Sequence, residues 1–363
     1  MIDEFSINHL EEMVAALPVN IKTRFERIYQ VSTGTGEVTL GLKTENWAKK
    51  QFGSTEAVTR QIIVRLTNLV TGEESFFNQI RASRPSDVNS QAPLQEMLEQ
   101  GAKNDIFRLP EIDTPEDLFG RIRGKHCITA SNIAKSDAVH GVVIFNDFNP
   151  LDFTREKVVD YIDTGRYWAI KMHKLKPEAK YFLFFWNCLK RAGATLTHGH
   201  CQVLLATGKH YSKIEKLRAS AEEYRRCYHS NYFDDLFEVH QALGCAVEKE
   251  GIRILSYLTP LKFNEVIILS DKLNSGFKTV IFDMLALFRD ELKTTSFNFG
   301  LVTLPLGKTR ESWEGFPCIG HIVDRGGYSD QTSDFGSFEL FGATMVLRDP
   351  FLLASKIRNY HGV

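Results

Sequence analysis

The sequence predicts an α+β fold in which one structural unit occurs twice. Two observations point there. Continuous apolar runs with the character of buried strands stand in the middle of the chain and again in its last third. In both places the order is strand, strand, helix, strand, strand, rather than a long alternation of single strands and single helices. The expected organisation is an N-terminal segment over 1–119, a first unit over 120–235 and a second over 236–363. Each unit has an antiparallel sheet, and the two pack as an internal pseudo-dimer.

The elements follow in order. Residues 4–17 place Phe5, Leu10, Met13, Val14 and Leu17 roughly on one side of a helix. Residues 24–31 and 37–42 are β-rich runs around Gly34-Thr35-Gly36, a hairpin signal. A second hairpin is expected from 60–70 and 75–81 about the turn Thr71-Gly72-Glu73-Glu74. The stretch 83–118 is polar, contains prolines and lacks a strong period, which reads as loop with some helix. The middle of the chain gives strands at 140–145, 181–186 and 202–206, a helix opened by Thr154 as N-cap, and a charged helix over 213–230. The last third gives strands at 253–258, 265–269, 297–304 and 320–324, and helices at 277–292 and 349–360.

Composition limits the function. The chain has 363 residues, 43% hydrophobic and 25% charged, enough to bury a core without cross-links. A net charge of −1 argues against a globally basic nucleic-acid binder but leaves room for a local basic pocket. None of the six cysteines stands at Cys-x-x-Cys spacing. No apolar stretch approaches the roughly 18 residues of a membrane span, and the acidic start Met1-Ile2-Asp3-Glu4 has no signal-peptide character. The expected setting is reducing and cytoplasmic, with no membrane and no nucleic acid as partner.

The chemistry centres on Thr197-His198-Gly199-His200-Cys201-Gln202. In an extended segment, residues two apart share a face, so His198, His200 and Gln202 project together beside Val203-Leu204-Leu205. Three polar groups on one face of an apolar strand are costly unless satisfied or used. An imidazole with an ordinary pKa of about 6.5 can attack phosphorus at neutral pH when its neighbours fix its tautomer. The same spacing also fits surface histidines at a strand start, or two metal ligands.

The flanking residues narrow the choice. Asn187, Gly193, Thr195, His198, His200 and Gln202 fall without a gap on the pattern of galactose-1-phosphate uridylyltransferases, in which an Asn, a Gly and a small hydroxyl residue precede His-Pro-His-Gly-Gln. The stretch 185–203 resembles the active-site segment of that branch of the histidine-triad (HIT-like) superfamily. The resemblance implies that His200 is the nucleophile, that His198 holds the site, often as a metal ligand, and that Gln202 bonds the phosphoryl group. It implies that Asn187 and Thr195 touch the phosphates. Asn146-Asp147 resembles the pair that binds the ribose hydroxyls, and Arg81-Ala-Ser-Arg84-Pro85 a phosphate-binding segment in which Arg81 and Arg84 would meet a diphosphate. More weakly, the segments around His321 and Glu339 resemble the second half of the family, where a Glu contacts the hexose. His321 itself reads as a satisfied core histidine.

Two departures matter. The family often carries zinc on Cys-x-x-Cys, a His and the first His of the motif, whereas this chain offers only Cys127 in that neighbourhood. No metal ligand is assigned, no cofactor is certain, and zinc is doubtful. The proline between the histidines is Gly199 here. The expected function is nucleotidyl transfer from a nucleotide sugar to a phosphate acceptor through a nucleotidyl-histidine. The alternatives are a phosphorylase or hydrolase of a nucleotide sugar or dinucleoside polyphosphate, and a non-catalytic nucleotide-binding protein. A homodimer is left open.

Overall fold

The structure, a computed structural model, describes residues 5–82, 94–328 and 335–362. Its strands in chain order are β1 (Tyr29–Glu37), β2 (Arg60–Asn68), β3 (Glu74–Asn78), β4 (Cys127–Ser131), β5 (His140–Phe145), β6 (Ala179–Asn187), β7 (His200–Thr207), β8 (Ala246–Lys249), β9 (Ile252–Ser256), β10 (Val266–Ser270), β11 (Phe297–Val302), β12 (Cys318–Asp324) and β13 (Ala343–Val346). Nine of them form one sheet in the order β4-β5-β7-β6-β11-β12-β10-β9-β8. Every pairing in that sheet is antiparallel.

The order β4-β5-β7-β6 recurs as β9-β10-β12-β11. A helix lies between the second and third strand each time, Arg155–Leu175 in the first half and Ser275–Ala286 in the second. The halves meet where β6 pairs with β11, Asn187 opposite Asn298 and Leu183 opposite Val302. Thr154 caps the first helix by accepting the Lys157 N–H, and Asn274 caps the second by accepting that of Phe277. Past Ala286 the second helix widens into a π turn over Leu287–Glu291.

Both helices cover the same face of the nine-stranded sheet. Trp168, Phe182, Phe184, Trp186, Met284, Phe297 and Phe299 are buried between them. The opposite face is covered unevenly. Over the second half it meets the N-terminal sheet β1-β2-β3-β13 and the helices Val19–Ile28 and Tyr232–Ala242, burying Phe25, Leu66, Phe237 and Leu255. Over the first half the described residues form a small cluster there: Phe107, Ile128, Ala130, Val142 and Ile144, with Leu196 against it. That thin cover is where the histidine motif sits.

One reading of the sequence is corrected. No hairpin turns at Gly34-Thr35-Gly36: β1 runs straight through and pairs with β2 from Tyr29 opposite Asn68 to Glu37 opposite Arg60. The long partner satisfies the backbone on both sides of the glycines, and Phe25 and Ile28, three apart, belong to a helix instead. The helix Ser212–Tyr228 is followed by another, Tyr232–Ala242, because His229 takes a left-handed conformation (φ 52°) and Asn231 caps a new start. β13 pairs in parallel with β3, so the end of the chain completes the N-terminal sheet. Among the described residues no helix is long and apolar enough to cross a membrane.

The core buries neutral histidines, which predicts acid sensitivity. His240 donates Nδ1–H to the Leu236 carbonyl and accepts the Leu258 N–H at Nε2, a set that only the neutral ring can make. Burial pushes His240 and His210 down to about 4. An unfolded chain takes up these protons near pH 6.5, so stability falls as pH drops below 6.5 and goes on falling to about 4. The loss reaches up to about 3 kcal/mol per histidine. Urea midpoints should fall steadily from pH 7 to pH 4.5; a constant midpoint would contradict this assignment.

Candidate active site

β7 begins at His200, and the loop before it, 188–199, carries the rest of the motif. That loop starts from a strained position, since the buried Leu189 has φ 66°. The Leu189 carbonyl accepts the N–H groups of Ala192 and Ala194, which holds the turn closed. Thr195 is exposed, and its N–H, with those of Leu196 and Thr197, has no partner among the described residues. Gly199 is demanded by packing. A Cβ there would lie 2.3 Å from Phe145 Cδ2. The Gly199 N–H donates to Phe148 O and its carbonyl accepts the Phe145 N–H, both at 2.9 Å. Gly199, between the two histidines, is thus tied on both sides, to Phe145 at the end of β5 and to Phe148 just beyond it.

His200 is buried, and its Nδ1–H donates to the His198 carbonyl at 2.8 Å. The proton therefore sits on Nδ1, and Nε2 keeps its lone pair. Burial is the main cause holding the imidazole below its ordinary pKa; the His198 carbonyl opposes it weakly and the charge of His198 adds to it. His198 has both nitrogens engaged. Nδ1 donates to Asp105 Oδ2 at 2.7 Å and Nε2 to the Phe145 carbonyl at 2.8 Å. The Phe107 ring stands edge-on to both imidazoles, with centroids 5.2 Å from His200 and 5.9 Å from His198.

Gln202 lies on the same face two residues on. β5 opposes β7 with Val142 across from Gln202 and His140 across from Leu204, which sets His140 diagonally beside the glutamine. The Ser136 N–H donates to His140 Nδ1, so His140 Nε2 carries the proton and gives it to Gln202 Oε1 at 2.8 Å. The carbonyl end of Gln202 is occupied, and its NH2 is the end left to donate. Across the seam between the halves, Asn298 donates to Asn187 Oδ1 at 2.7 Å and accepts Arg325 Nη1 at 2.6 Å. Asn187 too is left with its NH2 as the active end.

The other expected residues scatter. Asn146 and Asp147 follow β5, beside Gly199, and Asp147 pairs with Lys157 at 2.8 Å. Arg81 is exposed at the end of the short helix Gln79–Ala82; Arg84 lies outside the described residues. Glu339 accepts the Gly336 N–H and faces Lys262 at 3.8 Å. His321 is satisfied, but not by the core. Its Nε2 meets the buried Glu265 at 2.6 Å, and its side chain is 33% exposed in a cavity of about 410 Å³ also lined by Lys213 and Tyr232.

The residues do not fit a zinc ion of the kind the resemblance implies. Both nitrogens of His198 are committed to protein acceptors, and the Cys127 thiol sits 3.5 Å from Asp160 Oδ2 with burial pushing its pKa up to about 12. A zinc-binding thiolate needs the opposite shift. Among the described residues no group of three or more His, Cys, Asp or Glu could hold a metal.

The fold is similar to that of solved ADP-glucose phosphorylase, GalT-like and uridylyltransferase structures. No family model and no curated protein matches the chain. An ADP-glucose phosphorylase from Arabidopsis thaliana, solved with ADP-glucose bound, superposes with a TM-score of 0.59 at 17% identity, covering 80% of this chain and 96% of that one. A GalT-like protein from Arabidopsis thaliana gives 0.57 at 16% identity, over 70% and 92% of the two chains. A uridylyltransferase structure gives 0.56 at 14% identity, over 82% and 97%.

Asp105, Phe107, His140, Asn298 and Arg325 are not evident from the sequence. Asp105 lies 93 residues before His198 in an aperiodic stretch. Asn298 reaches Asn187 through the β6–β11 seam, and Arg325 in turn donates to Asn298. One departure from the family pattern can be tested directly. Gly199→Pro would create the His-Pro-His of the uridylyltransferases that the motif resembles. In this chain it forces a Cβ into Phe145 and removes the N–H given to Phe148, so it should cost about 1–3 kcal/mol for overpacking and about 1 kcal/mol for the hydrogen bond. A denaturant midpoint equal to wild type would show that Phe145 yields easily.

Proposed function

We propose that this protein transfers a nucleotidyl group from a nucleotide sugar to a phosphate-bearing acceptor, through a covalent nucleotidyl intermediate on His200. The observation that carries this reading is the tautomer of His200. With Nδ1–H held by the His198 carbonyl, the buried ring presents an unprotonated Nε2. In the first step Nε2 attacks the α-phosphorus, an N–P bond forms, and the P–O bond to the leaving sugar 1-phosphate breaks with its electron pair. In the second, an acceptor oxygen forms the new P–O bond and the N–P bond breaks, returning the pair to Nε2. Charge on the non-bridging oxygens would be met by the NH2 groups of Gln202 and Asn187, both oriented by their own partners before substrate arrives, and by Thr195. Asn146 and Asp147 would bind the ribose hydroxyls, with Lys157 orienting the carboxylate. Arg81 and Arg84 would serve the diphosphate, and Glu339 the sugar.

The two halves are read as copies of one HIT-like unit packed as an internal pseudo-dimer, 120–235 active and 236–363 without a nucleophile, after the N-terminal segment 1–119. The repeated strand order and the antiparallel β6–β11 seam support this. Inorganic phosphate as acceptor would make the enzyme a phosphorylase, and the similar structures include both an ADP-glucose phosphorylase and uridylyltransferases. A pure binding protein is disfavoured, since binding needs no committed tautomer at His200.

The test is to trap the intermediate. Incubation with α-³²P-labelled ADP-glucose or UDP-glucose should leave acid-labile, base-stable label on the wild-type protein and none on His200→Gly, and free imidazole should restore part of the turnover of that variant. Label retained by His200→Gly would place the covalent chemistry elsewhere.

A further inference from the structure

We infer that Asp105 is the positioning residue of the nucleophile, doing with a carboxylate what the resembling enzymes often do with zinc. The inference rests on His200 being that nucleophile, and it concerns a residue from outside both HIT-like halves. The Asp105 and His198 side chains are 5% and 6% exposed, and their contact is 2.7 Å. The carboxylate is itself fixed, because its second oxygen, Oδ1, accepts the Phe107 N–H at 3.0 Å. A carboxylate and the Phe145 carbonyl are both acceptors, so the His198 ring gives an N–H to each. With one proton only, a lone pair would face an acceptor at 2.7 or 2.8 Å.

The consequence passes along the backbone. A ring held at both nitrogens cannot turn, and the peptide behind it is tied through the Gly199 N–H to the Phe148 carbonyl, with the next peptide tied to the Phe145 N–H. The first of these peptides carries the carbonyl that takes the His200 Nδ1–H. Asp105 thus sets the nucleophile's tautomer through His198 without touching the reacting atoms. The strap that brings it also closes the site: Phe107 covers both imidazoles, and Gly101, at the end of the helix Leu94–Gly101, lies so close to Thr197 that a Cβ would sit 2.4 Å from its Oγ1. On the less covered side of the sheet, this strap does the work of a metal cage.

Long-range ¹⁵N–¹H correlation spectra of the free protein, with no nucleotide present, test the claim. Wild type should show His198 protonated at both nitrogens and His200 as a single Nδ1–H tautomer. Asp105→Ala should leave His198 with one proton and mix the His200 tautomers. Asp105→Asn, which keeps the shape and folds if the alanine variant does not, should also leave His198 with one proton while holding its ring. With ADP-glucose and inorganic phosphate, kcat should fall roughly 10–100-fold in Asp105→Ala and less in Asp105→Asn, as for residues that orient a reacting imidazole from behind, with KM little changed. A merely structural Asp105 would lower Tm and leave the His200 tautomer of the folded protein alone. Doubly protonated His198 persisting in Asp105→Asn, or a chelator that strips one zinc per chain and moves the wild-type His198 signals, would overturn the inference. Failure of wild type to turn over any nucleotide sugar would sink the functional reading instead, and the spectra would still decide the role of Asp105.

Discussion

The hydrogen bond from His200 Nδ1 to the His198 carbonyl, 2.8 Å long, decides what the imidazole can do. A neutral histidine has one proton and two nitrogens. Where the proton rests determines which nitrogen is a nucleophile, and a site that left this to solvent would present the wrong tautomer part of the time. In this site the acceptor is a backbone carbonyl two residues away, so the geometry is only as good as the peptide that bears it. The surroundings of that peptide all act to hold it: the Phe145 ring against Gly199, the bonds of Gly199 to Phe145 and Phe148, and the doubly anchored His198 ring.

The wider fold serves the same constraint. Placing several histidines and amides on one face of a sheet costs free energy unless each has a partner. The sheet solves this by register. His140 reaches Gln202 because β5 and β7 pair antiparallel with that offset, and Asn298 reaches Asn187 because the two halves share a ladder. In each case the partner occupies the amide oxygen and leaves the NH2 end to donate. The second half of the molecule has no His-x-His-x-Gln, yet it still supplies the residues that orient Asn187.

Much of this is legible in the sequence where periodicity is strong. The buried strands 140–145 and 181–186 and the Thr154 cap read correctly because their apolar runs and capping chemistry are local. The antiparallel α+β character follows from element order. What the sequence hides depends on long-range contact. Gly34 and Gly36 look like a turn until the nine-residue partner β2 is known. Asp105 looks like one more polar residue in an aperiodic stretch until the fold carries it to His198. His321 reads as a core histidine, but its side chain is one-third exposed in a cavity, and only its partner Glu265 is buried. Conversely, the missing Cys-x-x-Cys is visible at once, whereas the contact between Asp105 and His198 is not.

The most direct test of His200 as nucleophile is the stereochemical course at phosphorus. A nucleotide sugar carrying a chiral α-thiophosphate would be converted by the enzyme with inorganic phosphate, and the configuration of the product compared with that of the substrate. Two in-line displacements, each inverting once, predict overall retention. Inversion would mean a single direct displacement with no histidine adduct, and would contradict a covalent role for His200.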